Sequence, residues 1–533
     1  MLLLLAMACS DAPAPADLPE AFSLGPEQVC ADPVQGFDRL VEVDVGLSSL
    51  AYNSGEAEVC ARHPASILAE DLDGDGDIDL AFPQPGGLSV VEENEGGRFT
   101  AVPVGLAAED GVYALAAGDL DGDGLPELIA AGLGSLRVAW NKGGLSFSSW
   151  ELVIDEPGYP RDCFASLALG DVDGDGDLDL SLAGLDRVPS AGHVYGNEED
   201  EFQAAGDRLL INQDGALVEL GQLEPAGVER MSLAQAWFDR DLDGDLDLYA
   251  GTDRSWADFP PQAVYRNDGW NEEGPLLFED AADIGLASRD WAMGLDTADL
   301  NGDGHPDLCV SDIATTLPCW LSDGGGGWYE AGAALGLSVS VEGHPELPAD
   351  WEQREAYQQD LVFWGLDLID LDNDGWLDLL TSAGPVPATG NVRDGPNAFQ
   401  PDARFVGGAE GFAQVGHGDT RWSFGQALAD LSGDGHPELI QAHDEGLPTV
   451  WDNPCGANGW LEVEVPGFGA RVEVELADRV ETREVHSLRG GSQGPSRVHV
   501  GLGGLSEARV RVTVDGQVFE GLVPANRLLT VTP

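Results

Sequence analysis

One short acidic pattern recurs along the chain and limits what the chain can fold into. Its first copy reads DLDGDGDIDL and its last copy reads DLSGDGHPEL. Seven copies begin, in chain order, at Asp71, Asp119, Asp171, Asp239, Asp299, Asp370 and Asp430. The intervals between these starts are 48, 52, 68, 60, 71 and 60 residues. A period in this range indicates a solenoid, a propeller or another array of repeated units.

The segments around each copy favour strands over helices. An apolar run follows the acidic pattern, as in residues 80–82, and a second run of the β type follows a glycine-rich turn, as in residues 136–140. Units of roughly 40–60 residues built from strands and turns are typical of propeller blades, whereas helical solenoids have shorter, α-rich units. Because seven units suit a closed ring, the sequence predicts an all-β fold, a seven-bladed β-propeller.

The chain after the last repeat has a different pattern. Apolar and polar side chains alternate there, so that Ala508, Val510, Val512 and Val514 share one face of a strand. Strict alternation indicates a half-buried β-strand. We therefore expect a small C-terminal antiparallel β-domain over residues 455–533, after a propeller over residues 30–454.

The acidic residues of each copy are spaced for metal ligation. They occupy positions 1, 3, 5 and 9, with glycine at position 6, as in Asp71, Asp73, Asp75, Asp79 and Gly76. Calcium takes six to eight oxygen ligands, and a glycine turn lets the backbone carbonyl at position 7 join the carboxylates. An EF-hand would need glutamate at position 12, where every copy has a non-acidic residue, so that alternative fails. Acidic surface turns without a metal are the simpler alternative, and seven copies at the same offsets argue against it.

The sequence predicts up to seven bound Ca²⁺ ions, because all-oxygen, carboxylate-rich ligation suits calcium better than zinc or copper. The copies with Asn301 and Ser432 at position 3 carry the least charge and should bind most weakly. The position-7 residue of each copy contributes its carbonyl. The predicted ligands are, copy by copy, Asp71, Asp73, Asp75, Asp77 and Asp79; Asp119, Asp121, Asp123, Leu125 and Glu127; Asp171, Asp173, Asp175, Asp177 and Asp179; Asp239, Asp241, Asp243, Asp245 and Asp247; Asp299, Asn301, Asp303, His305 and Asp307; Asp370, Asp372, Asp374, Trp376 and Asp378; and Asp430, Ser432, Asp434, His436 and Glu438.

The acidic copies resemble the FG-GAP/VCBS repeats of integrin α-subunit propellers and of many bacterial surface proteins, over roughly residues 60 to 450. The tail from Asn458, which reads NGWLEVEVPGFGARVEVELADRVETREV, is similar to the ASPIC/UnbV domain that follows such repeats in the cartilage acidic protein family. The resemblance implies calcium ligands at positions 1, 3, 5, 7 and 9, and it says little about the partner. The loop between Val465 and Gly469 is shorter than in that domain, so no site is assigned to it.

The N-terminus and the cysteines predict export. Residues 1–9 read MLLLLAMAC and precede a Pro/Ala-rich linker over residues 10–29, as in a bacterial lipoprotein signal with Cys9 as the lipidated residue. An ordinary secretory signal with a start further upstream is the alternative, and both predict an extracytoplasmic protein, secreted or lipid-anchored to the bacterial envelope. The six other cysteines suggest disulfides, and Cys309 with Cys319 has a local argument because they would lie on neighbouring strands of one hairpin.

Composition restricts the function. With 96 Asp and Glu against 25 Lys and Arg, the formal net charge of −71 would repel nucleic acid and anionic membranes, which leaves membrane contact only through a lipid anchor. No metalloprotease, P-loop or dinucleotide motif is present in the sequence, so we expect a non-enzyme. The expected role is a calcium-stabilised adhesion, protein-interaction or scaffolding module whose protein or glycan partner is unknown.

A carbohydrate-binding or polysaccharide-degrading propeller is the alternative. Several of the 14 tryptophans lie near or within the longer connections of the later repeats, whose chief insertions cover residues 184–205, 340–366 and 382–420. Insertions of this kind often line one face of a propeller, where exposed aromatic rings bind sugars. Packing between blades would explain the same tryptophans without any ligand.

Overall fold

The structure is a computed structural model. It describes residues 18–28, 30, 33–34, 40–47, 66–83, 86–108, 111–190, 203–223, 230–253, 260–271, 274–279, 281–288, 290–348, 361–385, 398–416, 418–443, 446–487, 492–514 and 516–532. Regular structure within these ranges is almost all strand, with one helical turn, α1 (Ala281–Ile284). No helix in the described part of the chain is long and apolar enough to cross a membrane.

Seven sheets, which we call blades 1 to 7, follow one another along the chain. Two short strands precede them, β1 (Phe22–Leu24) and β2 (Val41–Val43). Blades 1 to 3 comprise β3 (Leu68–Glu70), β4 (Asp79–Ala81), β5 (Gly87–Asn94) and β6 (Phe99–Ala107); β7 (Ala114–Gly118), β8 (Glu127–Gly132), β9 (Ser135–Ala139) and β10 (Glu151–Asp155); and β11 (Arg161–Gly170), β12 (Asp179–Val188), β13 (Arg208–Gln213) and β14 (Ala216–Gln222). Blades 4 to 7 comprise β15 (Ser232–Phe238), β16 (Asp247–Thr252), β17 (Ala263–Asn271) and β18 (Gly274–Glu279); β19 (Leu295–Ala298), β20 (Asp307–Val310), β22 (Cys319–Ser322) and β23 (Trp328–Glu330); β21 (Ile313–Ala314), β24 (Leu361–Ile369), β25 (Asp378–Ala383), β26 (Arg404–Val406) and β27 (Ala413–Gln414); and β28 (Ser423–Ala429), β29 (Glu438–His443) and β30 (Thr449–Asp452).

The leading strands of the blades contact one another in a closed circle. From β3 the contacts run through β7, β11, β15, β19, β24 and β28, and β28 contacts β3 again. The N-terminal strand β2 adds to the outer side of blade 7, where Val43 pairs with Val450. The ring is thus closed by a strand from the other end of the chain, and the predicted all-β propeller is confirmed.

These inner strands read as continuous apolar runs because neighbouring blades cover both of their faces. β24, with the sequence LVFWGLDLI, is buried at every position, and β7, with ALAAG, is buried throughout. The outer strand β14 is mostly exposed. Continuous apolar runs are typical of strands that are buried on both faces. Each acidic loop therefore starts at the end of a tightly packed strand, which fixes the backbone at its first ligand.

The tail forms a C-terminal unit of two sheets. It comprises β31 (Gly459–Glu464), β32 (Arg471–Glu475), β33 (Val480–Glu484), β34 (Arg497–Gly503), β35 (Glu507–Val514), β36 (Gln517–Pro524) and β37 (Arg527–Val531). The strand orders are β1-β37-β31-β34 and β33-β32-β35-β36. The alternation predicted for β35 is confirmed, since Ala508, Val510, Val512 and Val514 are all buried in the core between the sheets.

Two features of this unit differ from the expectations. Strands β31 and β37 pair in parallel, so the unit is not wholly antiparallel. The segment interpreted as a linker contains β1, in which Phe22 pairs with Val531 and packs into the core of the unit. A three-residue strand inside a Pro/Ala-rich segment has no periodicity of its own, so only tertiary pairing places it.

The C-terminal unit covers the end of the ring that carries the acidic loops. The side chain of Gln493 donates to the carbonyl of Ala117 in blade 2 and accepts from its N–H, both at 2.9 Å. The Ser487 hydroxyl accepts from the N–H of Leu169 in blade 3 at 2.7 Å. The segment that carries these residues therefore closes this end of the ring.

Disulfides join distant and local parts of the chain. Cys30–Cys455 ties the N-terminal segment to the start of the C-terminal unit, across a sequence separation of 425. Cys309 and Cys319, the pair favoured by the sequence, are bonded across the neighbouring strands β20 and β22. Cys163 is also disulfide-bonded, to a partner outside the described residues.

Candidate metal sites

We call the acidic loops of blades 1 to 7 loops 1 to 7. Each is folded around its position-1 carboxylate. In loop 1, Asp71 accepts the N–H groups of Gly74 at 2.8 Å, Asp75 at 3.2 Å and Gly76 at 2.9 Å. In all seven loops the N–H groups at positions 5 and 6 bind this carboxylate. These bonds hold the chain in a tight turn and direct the next side chains toward one centre.

The turn needs left-handed backbone at two places. The glycine at position 6 has a positive φ in every loop, as in Gly76 at 99°, which is the conformation expected from the sequence. Position 4 also has a positive φ, and two loops place a side chain there, Leu242 at 62° and Asn373 at 59°. Glycine at position 4 in five of the seven loops was the sequence signal for this second requirement, and it was missed because the other two loops have no glycine there.

The position-9 carboxylate ties each loop to its own blade. In loop 1 one oxygen of Asp79 accepts the N–H of Leu72 at position 2, at 3.2 Å, and the other accepts the N–H of Asn94 at the end of the third strand, at 2.9 Å. The bond to position 2 occurs in all seven loops. Position 9 is therefore a structural link as well as a predicted ligand.

Five loops bring three carboxylates together, with oxygens that all lie within 4.8 Å of one another. The groups use positions 1, 3 and 9 in loops 1 to 4, and positions 1, 3 and 5 in loop 6. They are Asp71, Asp73 and Asp79; Asp119, Asp121 and Glu127; Asp171, Asp173 and Asp179; Asp239, Asp241 and Asp247; and Asp370, Asp372 and Asp374. Loops 5 and 7, with Asn301 and Ser432 at position 3, form no such group in the described structure, in line with their lower charge.

The electrostatics of these groups suit a cation. Burial, reinforced by neighbouring carboxylates, raises the pKa of Asp79, Glu127, Asp179 and Asp307 to about 7 and that of Asp247 to about 8. A carboxylate whose charged form is disfavoured by burial and by like charges is stabilised by a bound cation. The donors are carboxylate, amide, hydroxyl and carbonyl oxygens, so these residues fit calcium.

The C-terminal unit contacts several loops directly. Arg497 donates to the carbonyl of Gly76 at position 6 of loop 1, at 3.1 Å, and Arg471 donates to that of Gly304 in loop 5, at 2.7 Å. The same unit packs over the last two loops, where Gly501 lies against Asp370 and Trp460 lies against Gly435. The position-1 carboxylates of loops 6 and 7 are consequently buried, whereas those of loops 1 to 4 remain partly exposed.

A set of asparagines that the sequence did not mark as functional also belongs to the sites. Each lies in the third strand of its blade or within two residues after it, and each has a glycine two or three residues later. That spacing was the available signal, but an asparagine before a glycine is typical of any turn. The five residues are Asn94, Asn141, Asn212, Asn267 and Asn453.

The tryptophans give no built ligand site in the described part of the chain. Trp237 and Trp364 are buried, and Trp291 and Trp422 are half-buried against an apolar cluster shared by several blades. The described residues do not include Trp256, Trp351, most of the centre of each predicted insertion, or the predicted lipidation residue Cys9.

The fold and loops define the class of protein. A profile of the FG-GAP-like repeat matches residues 71–130, 119–181 and 239–310. The chain therefore contains FG-GAP-like repeats within a β-propeller fold. No curated protein is significantly similar to it in sequence.

Solved structures are similar only at a distance. The lectin BP39L from Burkholderia pseudomallei has a TM-score of 0.44 at 12% identity, covering 74% of this chain and 96% of its own. An Agrocybe aegerita lectin specific for non-reducing terminal N-acetylglucosamine has a TM-score of 0.40 at 17% identity, covering 72% and 87%. A rhamnogalacturonan lyase from Bacillus licheniformis has a TM-score of 0.33 at 12% identity, covering 95% and 91%.

Proposed function

We propose that this protein is an extracytoplasmic calcium-binding propeller that acts as a scaffolding or protein-interaction module, with calcium chiefly stabilising the fold. The observation that carries the proposal is the grouping of three carboxylates, with oxygens within 4.8 Å of one another, in each of loops 1 to 4 and in loop 6. Like charges at this distance repel strongly in a partly buried site, and a divalent cation converts that repulsion into attraction. Because each loop links an inner strand to the rest of its blade, the ions brace the ring.

An extracytoplasmic location is part of the proposal, and the disulfides support it. Cys30–Cys455 and Cys309–Cys319 would persist in an oxidising compartment and are rare in a reducing one. We also propose that a lipid on Cys9 attaches the protein to the membrane. We propose as well that the C-terminal unit is an ASPIC/UnbV domain.

We also propose that the protein is not an enzyme. In loops 1 to 6 the buried carboxylate at position 9 already has backbone partners on both oxygens, as Asp179 does with Val172 at 2.8 Å and Asn212 at 2.8 Å. A general acid or base must reach a substrate proton within hydrogen-bond distance. Carboxylates held in this way are suited to cation ligation and structural support.

A variant of one loop tests the calcium proposal. Changing Asp171→Asn and Asp173→Asn together removes two carboxylates of loop 3 and should lower the number of tightly bound calcium ions by one. The matched control is Asp155→Asn, on an exposed position of the neighbouring blade, which should leave that number unchanged. Metal content after dialysis, measured by mass spectrometry, decides this, and equal calcium content in all three proteins would reject loop 3 as a site.

The interaction role needs a separate experiment. The calcium-loaded protein, immobilised, is exposed to a solubilised membrane fraction and, in parallel, to a glycan array. A protein retained at stoichiometric yield, and released by a chelator, supports the proposal. Binding restricted to glycans would instead favour the carbohydrate alternative, and release of shortened sugar products would contradict the non-enzymatic role.

A further inference from the structure

The side-chain amide of one asparagine bridges the acidic loops of two neighbouring blades. The Nδ2 of Asn141 donates to the carbonyl of Pro126 in loop 2, the acidic loop of the same blade, at 2.9 Å. It also donates to the carbonyl of Leu72 in loop 1 at 2.8 Å. Its backbone N–H donates to Glu127 at 3.2 Å, and its Oδ1 accepts the N–H of Gly143 at 3.0 Å. Asn141 is buried. Each polar group of its side chain is therefore engaged, and its partners belong to two different predicted metal sites.

The contact to position 2 of the preceding loop recurs around the ring. All five asparagines are buried. The four other contacts run from Asn94 to the carbonyl of Leu431 at 2.9 Å, Asn212 to Leu120 at 2.8 Å, Asn267 to Val172 at 2.9 Å and Asn453 to Leu371 at 2.8 Å. The first of these joins blade 1 to blade 7, so the series continues across the closure of the ring.

Blades 5 and 6 interrupt the series. The corresponding positions are Ser322 and Gly407, whose N–H groups bind the position-9 carboxylates at 2.7 Å and 2.9 Å as the asparagines in blades 1 to 4 do. Neither residue has a side-chain amide that could reach the preceding loop. The asparagines thus connect loops 4, 3, 2, 1, 7 and 6 in that order, and loop 5 lies outside the series.

The bridged atoms are those that a cation would order. Position 2 lies between the ligands at positions 1 and 3, and its N–H binds the ligand at position 9, as Leu120 does with Glu127 at 2.8 Å. A cation that orders one loop therefore fixes the position-9 carboxylate that holds the asparagine, and with it the donor to the next loop. The next cation then meets a loop that has already lost part of its conformational freedom, which is a source of positive cooperativity.

We propose that these five asparagines couple the loops in series, so that loops 4, 3, 2, 1, 7 and 6 take up calcium cooperatively while loop 5 binds it separately. The inference rests on the proposed function as a calcium-binding propeller. The asparagines are positioning residues, since they hold the loops and offer no ligand of their own.

Calcium-binding isotherms of the full chain, measured by competition with a chromophoric chelator, test the coupling. Independent sites of unequal affinity give a Hill coefficient of one or less, so a value above one in the wild type requires coupling. The double variant Asn141→Ser with Asn212→Ser copies the residue found in blade 5. It should lower the Hill coefficient toward one and raise the calcium concentration at half-saturation severalfold, without changing the number of ions bound.

The matched control is Asn271→Ser, on an exposed position of the blade 4 hairpin that also carries Asn267, and it should leave the isotherm unchanged. The reverse variant, Ser322→Asn, extends the series toward loop 4 and should steepen the isotherm, which keeps the test decisive if the double variant does not fold. A wild-type Hill coefficient of one or less, a double variant with the wild-type slope, or an unchanged slope in Ser322→Asn would each overturn the coupling. Calcium bound without cooperativity overturns this inference alone, whereas no bound calcium overturns the proposed function as well.

Discussion

Gly76 shows how far one metal loop depends on one backbone angle. Its φ of 99° lies in the left-handed region, and a Cβ added there would meet no atom within 4 Å. The change Gly76→Ala therefore introduces backbone strain without a steric clash. We expect a loss of about 1–2 kcal/mol of folding free energy in calcium, the cost of left-handed backbone for a residue with a Cβ.

The control for this change is Gly158→Ala, an exposed glycine with equal open space and no positive φ. Urea unfolding of both variants in excess calcium measures the difference. Equal stabilities of the two variants would show that the loop does not depend on this conformation.

His443 gives the protein a calculable response to acid. It is buried in blade 7, with Ser423 at 3.1 Å and Thr449 at 2.8 Å on its two ring nitrogens. Burial, aided by the charge of Arg421, lowers its pKa from 6.5 to about 4. The neutral ring therefore contributes stability that is fully present above pH 6.5 and is lost as the pH falls toward 4.

The measurement is the free energy of unfolding of the wild type and of His443→Gln at several pH values. The difference between the two proteins should fall by about 1.4 kcal/mol for each pH unit below the unfolded pKa, until the folded pKa is reached. A difference that does not change with pH would show that His443 titrates alike in both states.

At this scale the sequence predicted the carboxylates that meet but missed the residues that hold them. Asp71, Asp73 and Asp79 were found because acidic residues recur at the same offsets in seven copies of the pattern. Asn141 was missed because its partner Leu72 lies 69 residues away. A contact that depends on the packing of one blade against the next leaves no local pattern.

Arg497 marks the element that joins the two parts of the molecule. On β34, it binds Glu464 of β31 at 3.0 Å and the carbonyl of Gly76 in loop 1 at 3.1 Å, with a side chain that is 6% exposed. Removing one partner of a buried ion pair leaves the other charge uncompensated. We expect Arg497→Met to destabilise the protein by about 3–5 kcal/mol.

Arg509 on β35 offers the matched comparison. It pairs with Glu520 at 2.9 Å, but its side chain is 48% exposed, so the pair is screened by solvent. Arg509→Met should cost less than about 1 kcal/mol. Denaturant unfolding of both variants checks the contrast, and equal losses would mean that the interface around Arg497 contributes no more than a surface pair.

The sequence predicted the long, patterned elements and missed the short ones. Strand β35 was predicted because alternation over Glu507–Val514 is strict. Strands β1 and β2 have three residues each and pair with strands from the far end of the chain, so no local signal identified them. The parallel pairing of β31 with β37 follows from the order of the strands in space, which periodicity does not encode.

At the scale of the whole molecule, the Cys30–Cys455 disulfide secures the two places where the N-terminal segment completes a sheet. It lies between β1, which completes a sheet of the C-terminal unit, and β2, which completes blade 7. Because it closes most of the chain into one loop, its removal by Cys30→Ser with Cys455→Ser should lower the free energy of unfolding by about 2–5 kcal/mol. In a reductant that opens this bond, the wild type and the variant should have the same free energy of unfolding. Equal free energies of unfolding under oxidising conditions would show that the disulfide does not stabilise the fold.

The position of the C-terminal unit also determines how far each acidic loop is exposed. Through Gln493, Ser487 and Arg497 this unit occupies the end of the ring that carries the acidic loops. It covers these loops unequally, because the position-1 carboxylates of loops 6 and 7 are buried and those of loops 1 to 4 are partly exposed.

The most direct test of the central claim is the melting temperature of the full chain in calcium and in EDTA. If calcium binds with dissociation constants of about 10⁻⁴–10⁻³ M, each site contributes about 1.4–2.7 kcal/mol at roughly 10 mM calcium. The five loops that group three carboxylates then contribute about 7–14 kcal/mol, which for a chain of 533 residues corresponds to roughly 6–12 °C. We predict a melting temperature lower by about that amount in EDTA, whereas the same melting temperature in both solutions would contradict the claim that calcium stabilises the ring.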